Sequence, residues 1–381
     1  MELTATWSYP NAIRFGAGRI KELGKAAKFA GIKRPLLVTD KGLAALPITT
    51  MVQTLMAEAG LGDAIFSEVD SNPTDTNLAA GIKAFDAGDH DGVIAMGGGS
   101  ALDLGKMIAF AARQTLPIWE FEDIGTNWRK ADADAIFPNI CIPTTAGTGS
   151  EVGRASVITQ AATHTKKVIF HPKVLPSAVI CDPYLTVGMP EIITVGTGMD
   201  ALAHCLEAYS SPFYHPMSQG IALEGMALVK ANLPRVVKDP GDIAARAHMM
   251  SAAAMGAVAF QKGLGAIHAL SHPVGAIYNT HHGMTNAVVM PYVLAFNKPA
   301  IEERVGRAAA YLDINGGYDG FCDWIAALRS DLKVPNKLAE LGVAADRIEE
   351  LAAMAIVDPT ADGNPIELTL EAAKSLLHEC I

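Results

Sequence analysis

Short apolar runs alternate with longer amphipathic segments through the first half of the chain. The runs are rich in β-branched residues and end at turn residues, a pattern that predicts strands. These strands are expected at residues 34–40, 63–70, 91–100, 139–145 and 177–183. Between them, helical spacing predicts helices at residues 48–60, 75–88 and 101–114. Strands that alternate with helices predict a mostly parallel sheet with helices on its faces.

The pattern changes after Asp182 and Pro183. Strand-like runs become rare, Ala, Met and Leu dominate, and helix-length patterns follow one another. These helices are expected at residues 194–210, 217–232, 242–260, 299–312, 319–331 and 366–380. We therefore predict an α/β domain over residues 1–183 and an all-helical domain over residues 184–381. No low-complexity linker separates them, so a cleft between packed domains is the expected place for a ligand.

Composition narrows the class of protein. The 381 residues carry a formal net charge of −10, which disfavours binding to nucleic acid. The five cysteines are scattered and form no CxxC pair, which predicts reduced thiols and a cytoplasmic location. The first 18 residues show no signal-peptide pattern. The apolar run at residues 249–260 is shorter than the roughly 20 residues of a membrane span, so we expect a buried helix and no membrane partner.

A strand followed by three glycines, a serine and a helix lies at residues 93–106. Glycines let the backbone approach a ligand closely, and a helix N-terminus offers free N–H groups to an anion. This makes Gly97, Gly98, Gly99 and Ser100 candidates for holding a pyrophosphate. Position 102 is Leu, so the GxGxxG fingerprint is not matched, and a tight structural turn remains the alternative.

A second loop of small residues follows the strand at residues 139–145. Thr144, Thr145, Thr148 and Ser150 offer hydroxyl groups there, and the alternative is an ordinary polar loop. Two such loops at the carboxyl ends of neighbouring strands are typical of a nucleotide site.

Asp40 ends the first of the predicted strands. An acid at such a position can bind the 2′-hydroxyl of the NAD ribose and would repel the 2′-phosphate of NADP. The alternative role is a helix N-cap. Asp40 precedes the glycine loop by about sixty residues, which is not the usual dinucleotide-binding order.

Histidines cluster in "HALSHPVGAIYNTHHGMTN", residues 268–286. His268 and His272 are four residues apart, as are Asp200 and His204 in an earlier helical pattern, and residues at this spacing share one face of a helix. We expect Pro273, Gly275 and Gly283 to break the helix and let His281 and His282 fold back toward the same point. A carboxylate with imidazoles and no thiolate suits Fe(II) or Zn(II), whereas core or surface histidines are the alternative.

Together these motifs resemble the iron-dependent (group III) alcohol dehydrogenase family. The similarity runs end to end, through "NP" at 72–73, "GGGSALDLGK", "PTTAGTGSEV", "GMDALAHCLEAY" and the histidine segment. It implies an α/β domain of the dehydroquinate synthase type that binds NAD, and a helical metal-binding domain. The implied metal ligands are Asp200, His204, His268 and His282. The implied cofactor-binding residues also include Asn72, Asp103 and Lys166, although the adjacent Lys167 leaves the register of the lysine open.

The resemblance implies an NAD-linked alcohol dehydrogenase, acting on a small alcohol or aldehyde as a homodimer. Hydride would pass from a metal-bound alkoxide to the nicotinamide, with Fe(II) as the expected metal and Zn(II) as the alternative. His272 lies one turn from His268 and is a candidate to relay the hydroxyl proton. His281 matches no ligand position, and Phe260 is a candidate to limit the size of the substrate.

Three other functions remain open from the sequence. A hydroxyacid–oxoacid transhydrogenase would recycle bound cofactor, and its turnover would not depend on added NAD. A lyase of the dehydroquinate synthase type would need basic residues for a phosphorylated substrate, but residues 268–282 contain no Lys or Arg. A non-catalytic metal or nucleotide-binding protein would show no turnover.

Overall fold

The computed structural model describes Tyr9, residues 11–163 and residues 165–381. Contacts between residues divide them into two compact units. The α/β unit comprises residues 11–145 and 149–188, and the helical unit comprises Tyr9, residues 146–148 and residues 189–381. The boundary expected between residues 183 and 184 stays a prediction. The expectation of no signal peptide rests partly on residues 1–8, which lie outside the described residues.

The α/β unit is built on a parallel sheet. Its strands are β1 (Ile13–Phe15), β2 (Pro35–Val38), β3 (Ile65–Phe66), β4 (Gly92–Gly97), β5 (Asn139–Pro143), β6 (Ala155–Gln160), β7 (Thr165–Phe170) and β8 (Ala178–Cys181). Its helices are α1 (Leu23–Ala30), α2 (Lys41–Ala44), α3 (Pro47–Glu58), α4 (Asp75–Ala87) and α5 (Gly99–Ala111). Six strands pair in the order β1-β8-β5-β4-β2-β3, and every pair is parallel. The predicted α/β fold with a mostly parallel sheet is confirmed.

Burial explains why the central strands read as continuous apolar runs. Every residue of β2, β4, β5 and β8 is buried, as expected for a sheet that carries helices on both faces. Ile94, Ile140 and Ile180 belong to one core cluster with residues of α1 and α3. Burial of each such side chain contributes about 1.5–3 kcal/mol.

An antiparallel hairpin of β6 and β7 was not predicted from the sequence. Its strands are mostly half-buried and mix polar with apolar residues, so they lack the apolar runs of the central strands. The backbone N–H of Thr159 in β6 donates to the carbonyl oxygen of Pro73 at 2.8 Å. The hairpin is therefore attached to the segment before α4, beside Asn72.

The second unit is helical, as predicted. Its helices are α6 (Glu191–Ser210), α7 (Pro216–Lys238), α8 (Ile243–Ala259), α9 (Ala266–Tyr278), α10 (His282–Tyr311), α11 (Gly317–Asp331), α12 (Ile348–Ala355) and α13 (Leu370–Cys380). Helix α6 forms its centre, because 17 of its residues, from Thr194 to Ser210, are buried without a gap. The carbonyl oxygens at its end accept from two basic side chains, Lys262 and Arg304.

The expected helix breaks around the histidine segment were partly wrong. Helix α9 continues through Pro273 and Gly275 to Tyr278, and Asn279 caps its end in a left-handed conformation with φ 52°. Helix α10 includes Gly283 and continues through two prolines to Tyr311. Tertiary packing of apolar residues outweighs the local helix-breaking tendency of these residues.

Among the described residues, one helical stretch is long and apolar enough to span a membrane. It comprises α8 and the turn that follows it, Ile243–Lys262, and 56% of it is buried. It includes the run at residues 249–260, which the sequence predicted as a buried helix. Core helices of soluble proteins commonly meet the same length and composition test. All five cysteines are free.

Candidate functional site

Asp200 and His204 lie one turn apart on the buried helix α6. Their side chains are each 5% exposed, and the Nε2 atom of His204 lies 3.7 Å from the Oδ1 atom of Asp200. The predicted spacing therefore does place both groups on one face of a helix. Both groups are enclosed within the unit, because every residue of α6 from Thr194 to Ser210 is buried.

Helices α9 and α10 bring two more imidazoles to the same carboxylate. The Nε2 atom of His268 lies 3.7 Å from Asp200 Oδ1, and that of His282 lies 3.5 Å from it. The rings of His204 and His268 stack with their centroids 4.7 Å apart. Atoms that share one metal ion at bonds of about 2.0–2.2 Å lie roughly 3–3.5 Å apart. Asp200, His204 and His268 each offer a ligand atom within 4.8 Å of the others, so these three buried side chains form a group that could hold a metal ion.

The charges of the cluster favour a cation. Burial alone would raise the pKa of Asp200, but the three neighbouring histidines outweigh it and hold the pKa well below its usual range. Burial lowers the pKa of His204 to about 4, so its ring is neutral at neutral pH. Burial also acts against the charged form of His268, but Glu207 and Asp200 outweigh it and raise the pKa to about 10. A bound cation would replace that proton.

Asn286 lies in the middle of this cluster, and the sequence analysis did not predict it as a site residue. Its Nδ2 atom donates to Asp200 Oδ1 at 2.8 Å and lies 3.2 Å from the Nε2 atoms of both His268 and His282. The side chain is fully buried. Asn286 follows His282 by four residues, so the helical spacing could have revealed it.

Glu207 was also missed. Its carboxylate lies 2.5 Å from the Nδ1 atom of His268, on the opposite side of the ring from Asp200. Glu207 follows Asp200 by seven residues, and a heptad spacing on one helix keeps side chains on the same face. The sequence therefore contained the signal for this contact.

His272 pairs with a residue that no local pattern could reveal. Its Nδ1 atom lies 2.8 Å from Asp358 Oδ2, and Asp358 follows α12, 86 residues later in the chain. Burial acts to raise the pKa of Asp358, but His272 and hydrogen bonds from Thr360 outweigh it and lower the pKa. The ring of His272 stacks on that of His282, with centroids 5.4 Å apart.

His281 and Phe260 take different positions around the cluster. The Nδ1 atom of His281 accepts from the backbone N–H of Met284 and caps the first turn of α10, which gives this residue a structural role. The ring of Phe260 meets that of His204 edge-on at 5.1 Å, so Phe260 does lie beside the candidate metal ligands.

The glycine loop of the α/β unit joins β4 to α5. Gly97 ends β4 with φ 147°, a conformation that other residues rarely adopt, and Gly98 caps α5. Asp40 caps α2 by accepting from Leu43 N–H at 2.9 Å, so the N-cap alternative is correct. Its other carboxylate oxygen lies 3.4 Å from where a Gly97 Cβ would be. Asp40 thus also borders the glycine loop.

Only some of the predicted hydroxyl-bearing residues lie at the glycine loop. Thr144 N–H donates to the Gly97 carbonyl at 2.9 Å, and the Thr145 side chain lies beside Gly98. Ser100 donates its hydroxyl to the Ser71 carbonyl at 2.5 Å. Thr148 belongs to the helical unit instead. The structure thus brings two of the predicted threonines to the glycine loop.

Asp103 and Ser150 face each other. The Ser150 hydroxyl donates to one oxygen of Asp103 at 2.5 Å, and the backbone N–H of Val157 donates to the other at 2.9 Å. The fully buried Lys106 binds the carbonyl oxygens of Ser150 and Ala155. These contacts make the pair part of the framework under the second loop, and direct contact with a cofactor stays a prediction for both.

Lys166 and Lys167 lie next to each other on β7. Lys167 forms an ion pair with Glu122 at 2.6 Å. Lys166 is paired across the hairpin with Thr159, which bonds to the residue after Asn72. Lys166 therefore lies across the hairpin from the strand that contacts the segment next to Asn72, and its role as the cofactor lysine stays a prediction.

Comparison with known proteins identifies this combination of units. Residues 10–183 match the sequence model of the iron-containing alcohol dehydrogenases, and residues 194–381 match that of the family's C-terminal domain. The chain belongs to the iron-containing alcohol dehydrogenase family. It is 37% identical to a 4-hydroxybutyrate dehydrogenase of Cupriavidus necator, an alignment that covers 97% of this chain and 98% of the relative.

Solved structures of the family share the whole fold. A 1,3-propanediol oxidoreductase superposes with a TM-score of 0.94 at 33% identity, covering 99% of this chain and all of the other. A sulfoacetaldehyde reductase of Bifidobacterium kashiwanohense, solved with NAD+, superposes with a TM-score of 0.88 at 30% identity and covers 99% of both chains. The predicted family and the predicted class, an NAD-linked alcohol dehydrogenase, are confirmed for this iron-containing alcohol dehydrogenase.

Proposed function

We propose that this alcohol dehydrogenase oxidises a small alcohol, or reduces the matching aldehyde, with NAD and one divalent metal. The observation that carries the proposal is the convergence of three imidazole nitrogens within 3.7 Å of one buried carboxylate oxygen. Asp200, His204, His268 and His282 would hold the metal. Fe(II) is the first choice because of the family, and Zn(II) accepts the same donors.

The metal would supply Lewis acidity, which eases loss of an alcohol's hydroxyl proton near neutral pH. The protein would move that proton through His272. Asp358 accepts a hydrogen bond from His272 Nδ1, which leaves the lone pair on Nε2 to take up a proton. Phe260, against His204, would limit the size of the substrate next to the metal.

The α/β unit would bind NAD. The backbone N–H groups at the start of α5, with Gly97, Gly98, Gly99 and Ser100, would hold the pyrophosphate. Asp40 would bind the ribose from the edge of the same loop. Further contacts are assigned as the sequence predicts, to Asn72, Asp103, Thr144, Thr145, Thr148, Ser150 and Lys166. We also infer a cytoplasmic location and a homodimer. A mass measurement in solution would test the homodimer.

Metal removal tests the proposed function directly. The enzyme would be stripped with a chelator, reloaded anaerobically with Fe(II) or Zn(II), and followed by NADH absorbance with short alcohols, diols and hydroxyacids. We expect turnover to disappear with the metal and to return on reloading, and the panel to identify the substrate class. Full turnover in the stripped enzyme would contradict the proposal that the reaction requires a metal. Turnover that needs no added NAD would indicate the transhydrogenase instead.

Replacement of Asp40 tests its cofactor role. In Asp40→Asn the amide still caps α2, but the negative charge is lost. A like charge within about 4 Å of a phosphate costs on the order of 1–4 kcal/mol, so we expect kcat/KM for NADP relative to NAD to rise at least about fivefold. Asp63→Asn, at an exposed acid before β3, is the matched control. An unchanged preference in Asp40→Asn would remove Asp40 from the ribose site.

A further inference from the structure

Glu207 is a buried acid that contacts a candidate metal ligand without facing the metal position. One carboxylate oxygen lies 2.5 Å from His268 Nδ1, and the side chain is 6% exposed. The other oxygen accepts from the backbone N–H of Ile267 at 2.7 Å. Each oxygen therefore has its own donor, and both donors belong to the first turn of α9.

This contact determines which nitrogen of His268 carries the ring proton. A carboxylate accepts hydrogen bonds, so the Nδ1 atom next to it keeps its proton, and Nε2 is the atom that releases its proton and offers a lone pair when a cation binds. Nε2 is the atom that faces Asp200. We propose that Glu207 is a positioning residue that prepares His268 for metal binding by fixing its tautomer and its ring orientation. The inference rests on the metal site of the proposed function.

Glu207 also holds the helix that carries His268. The N-terminus of α9 has two side-chain acceptors, with Glu207 on Ile267 N–H and Asn364 on Ala266 N–H at 3.1 Å. Gly265 precedes them, and a Cβ there would lie 2.8 Å from the Asn364 oxygen and 3.1 Å from the Glu207 oxygen. The absence of a side chain at position 265 makes room for both acceptors. Of these two acceptors, Glu207 is the one that also binds the His268 ring.

The charges of the buried site agree with this role. A divalent cation carries two positive charges, and Asp200 supplies one negative charge to balance them. Glu207 supplies the second from behind His268, so the metal-loaded site is neutral as a whole. Buried charges are tolerated when they are compensated in this way. A carboxylate behind a histidine ligand commonly strengthens metal binding about 10–100-fold.

Glu207→Gln separates the anchoring of α9 from the positioning of the His268 proton, because an amide has one acceptor and one donor end. If its oxygen stays on Ile267 N–H, its nitrogen faces His268 Nδ1 and pushes the ring proton onto Nε2, the metal-binding atom. We expect the dissociation constant for Co(II), measured by visible absorption on the metal-free enzyme, to rise about 10–100-fold. NAD affinity, which depends on the α/β unit, is expected to stay at the wild-type value.

Asn364→Ala is the matched control, because it removes the other acceptor at the α9 terminus and leaves the His268 ring contact intact. We expect it to lower the thermal unfolding temperature while Co(II) affinity stays that of the wild type. Wild-type Co(II) affinity in Glu207→Gln would overturn the proposal. An equal loss of affinity in Asn364→Ala would do the same, because anchoring of the helix alone would then explain it. A wild-type enzyme that binds no Co(II) would overturn the metal site itself.

Discussion

A His268→Ala variant is expected to lose kcat/KM by about a thousandfold or more, while its affinity for NAD stays close to that of the wild type. The substitution removes one of four donors and also leaves Glu207 without its partner in a buried site. Lewis acidity contributes several kcal/mol to such reactions, and a loss of about 4 kcal/mol corresponds to a thousandfold change in rate. Steady-state kinetics, metal content and NAD titration measure the three quantities.

His248→Ala is the control for this experiment. His248 is an exposed histidine on α8 in the same unit, so its removal should leave both activity and metal content unchanged. If His268→Ala kept full turnover and one metal per chain, the assignment of His268 as a ligand would be wrong. If it lost NAD affinity as well, the effect would have to be attributed to misfolding.

Gly283→Ala is expected to destabilise the protein by about 3 kcal/mol and to weaken metal binding together with it. A Cβ at position 283 would lie 2.0 Å from the carbonyl oxygen of Gly196 and 2.9 Å from the Cβ of Asp200. Backbone atoms of α6 cannot move aside as a flexible side chain can, so α10 must shift. Overpacking of this kind typically costs 1–3 kcal/mol, and a backbone clash belongs at the upper end. Denaturant unfolding and metal titration measure the two effects.

The matched control is Gly220→Ala, on an exposed turn of α7 where an added Cβ meets nothing within 4 Å. There the substitution should stabilise the protein by about 0.5–1 kcal/mol, since Ala loses less conformational freedom than Gly in a helix. Gly283→Ala with wild-type stability and metal affinity would show that α6 and α10 can separate at no cost. The proposed dependence of the metal site on this close approach would then be wrong.

The sequence predicted those elements whose burial leaves a clear pattern. Strands β2, β4, β5 and β8 are buried along their whole length, and each lies within a predicted apolar run. The hairpin of β6 and β7 was missed because half-buried strands carry mixed residues. Helices α9 and α10 were misjudged because local propensity assigns breaks to proline and glycine, whereas packing decides whether a helix continues.

The residues of the site also divide into those that a local pattern reveals and those that only chain folding brings together. Asp200 with His204, and His268 with His272, could be recognised because helical spacing places them on common faces. Glu207 could have been found by extending that spacing by one more turn. Asp358 could not, because it is brought to His272 by chain folding over 86 residues and no local pattern records that contact.

The sequence by itself determined the two kinds of unit, the glycine loop, and the residue types that can hold a metal, because periodicity and residue chemistry are local properties. Local spacing did not distinguish His281 from His282, and the tertiary structure decided that His282 reaches the same carboxylate oxygen as His204 and His268, whereas His281 caps α10. It also decided that Asp103 and Ser150 bind each other. Such contacts depend on how closely helices and loops approach, and that distance is fixed by packing of the whole unit.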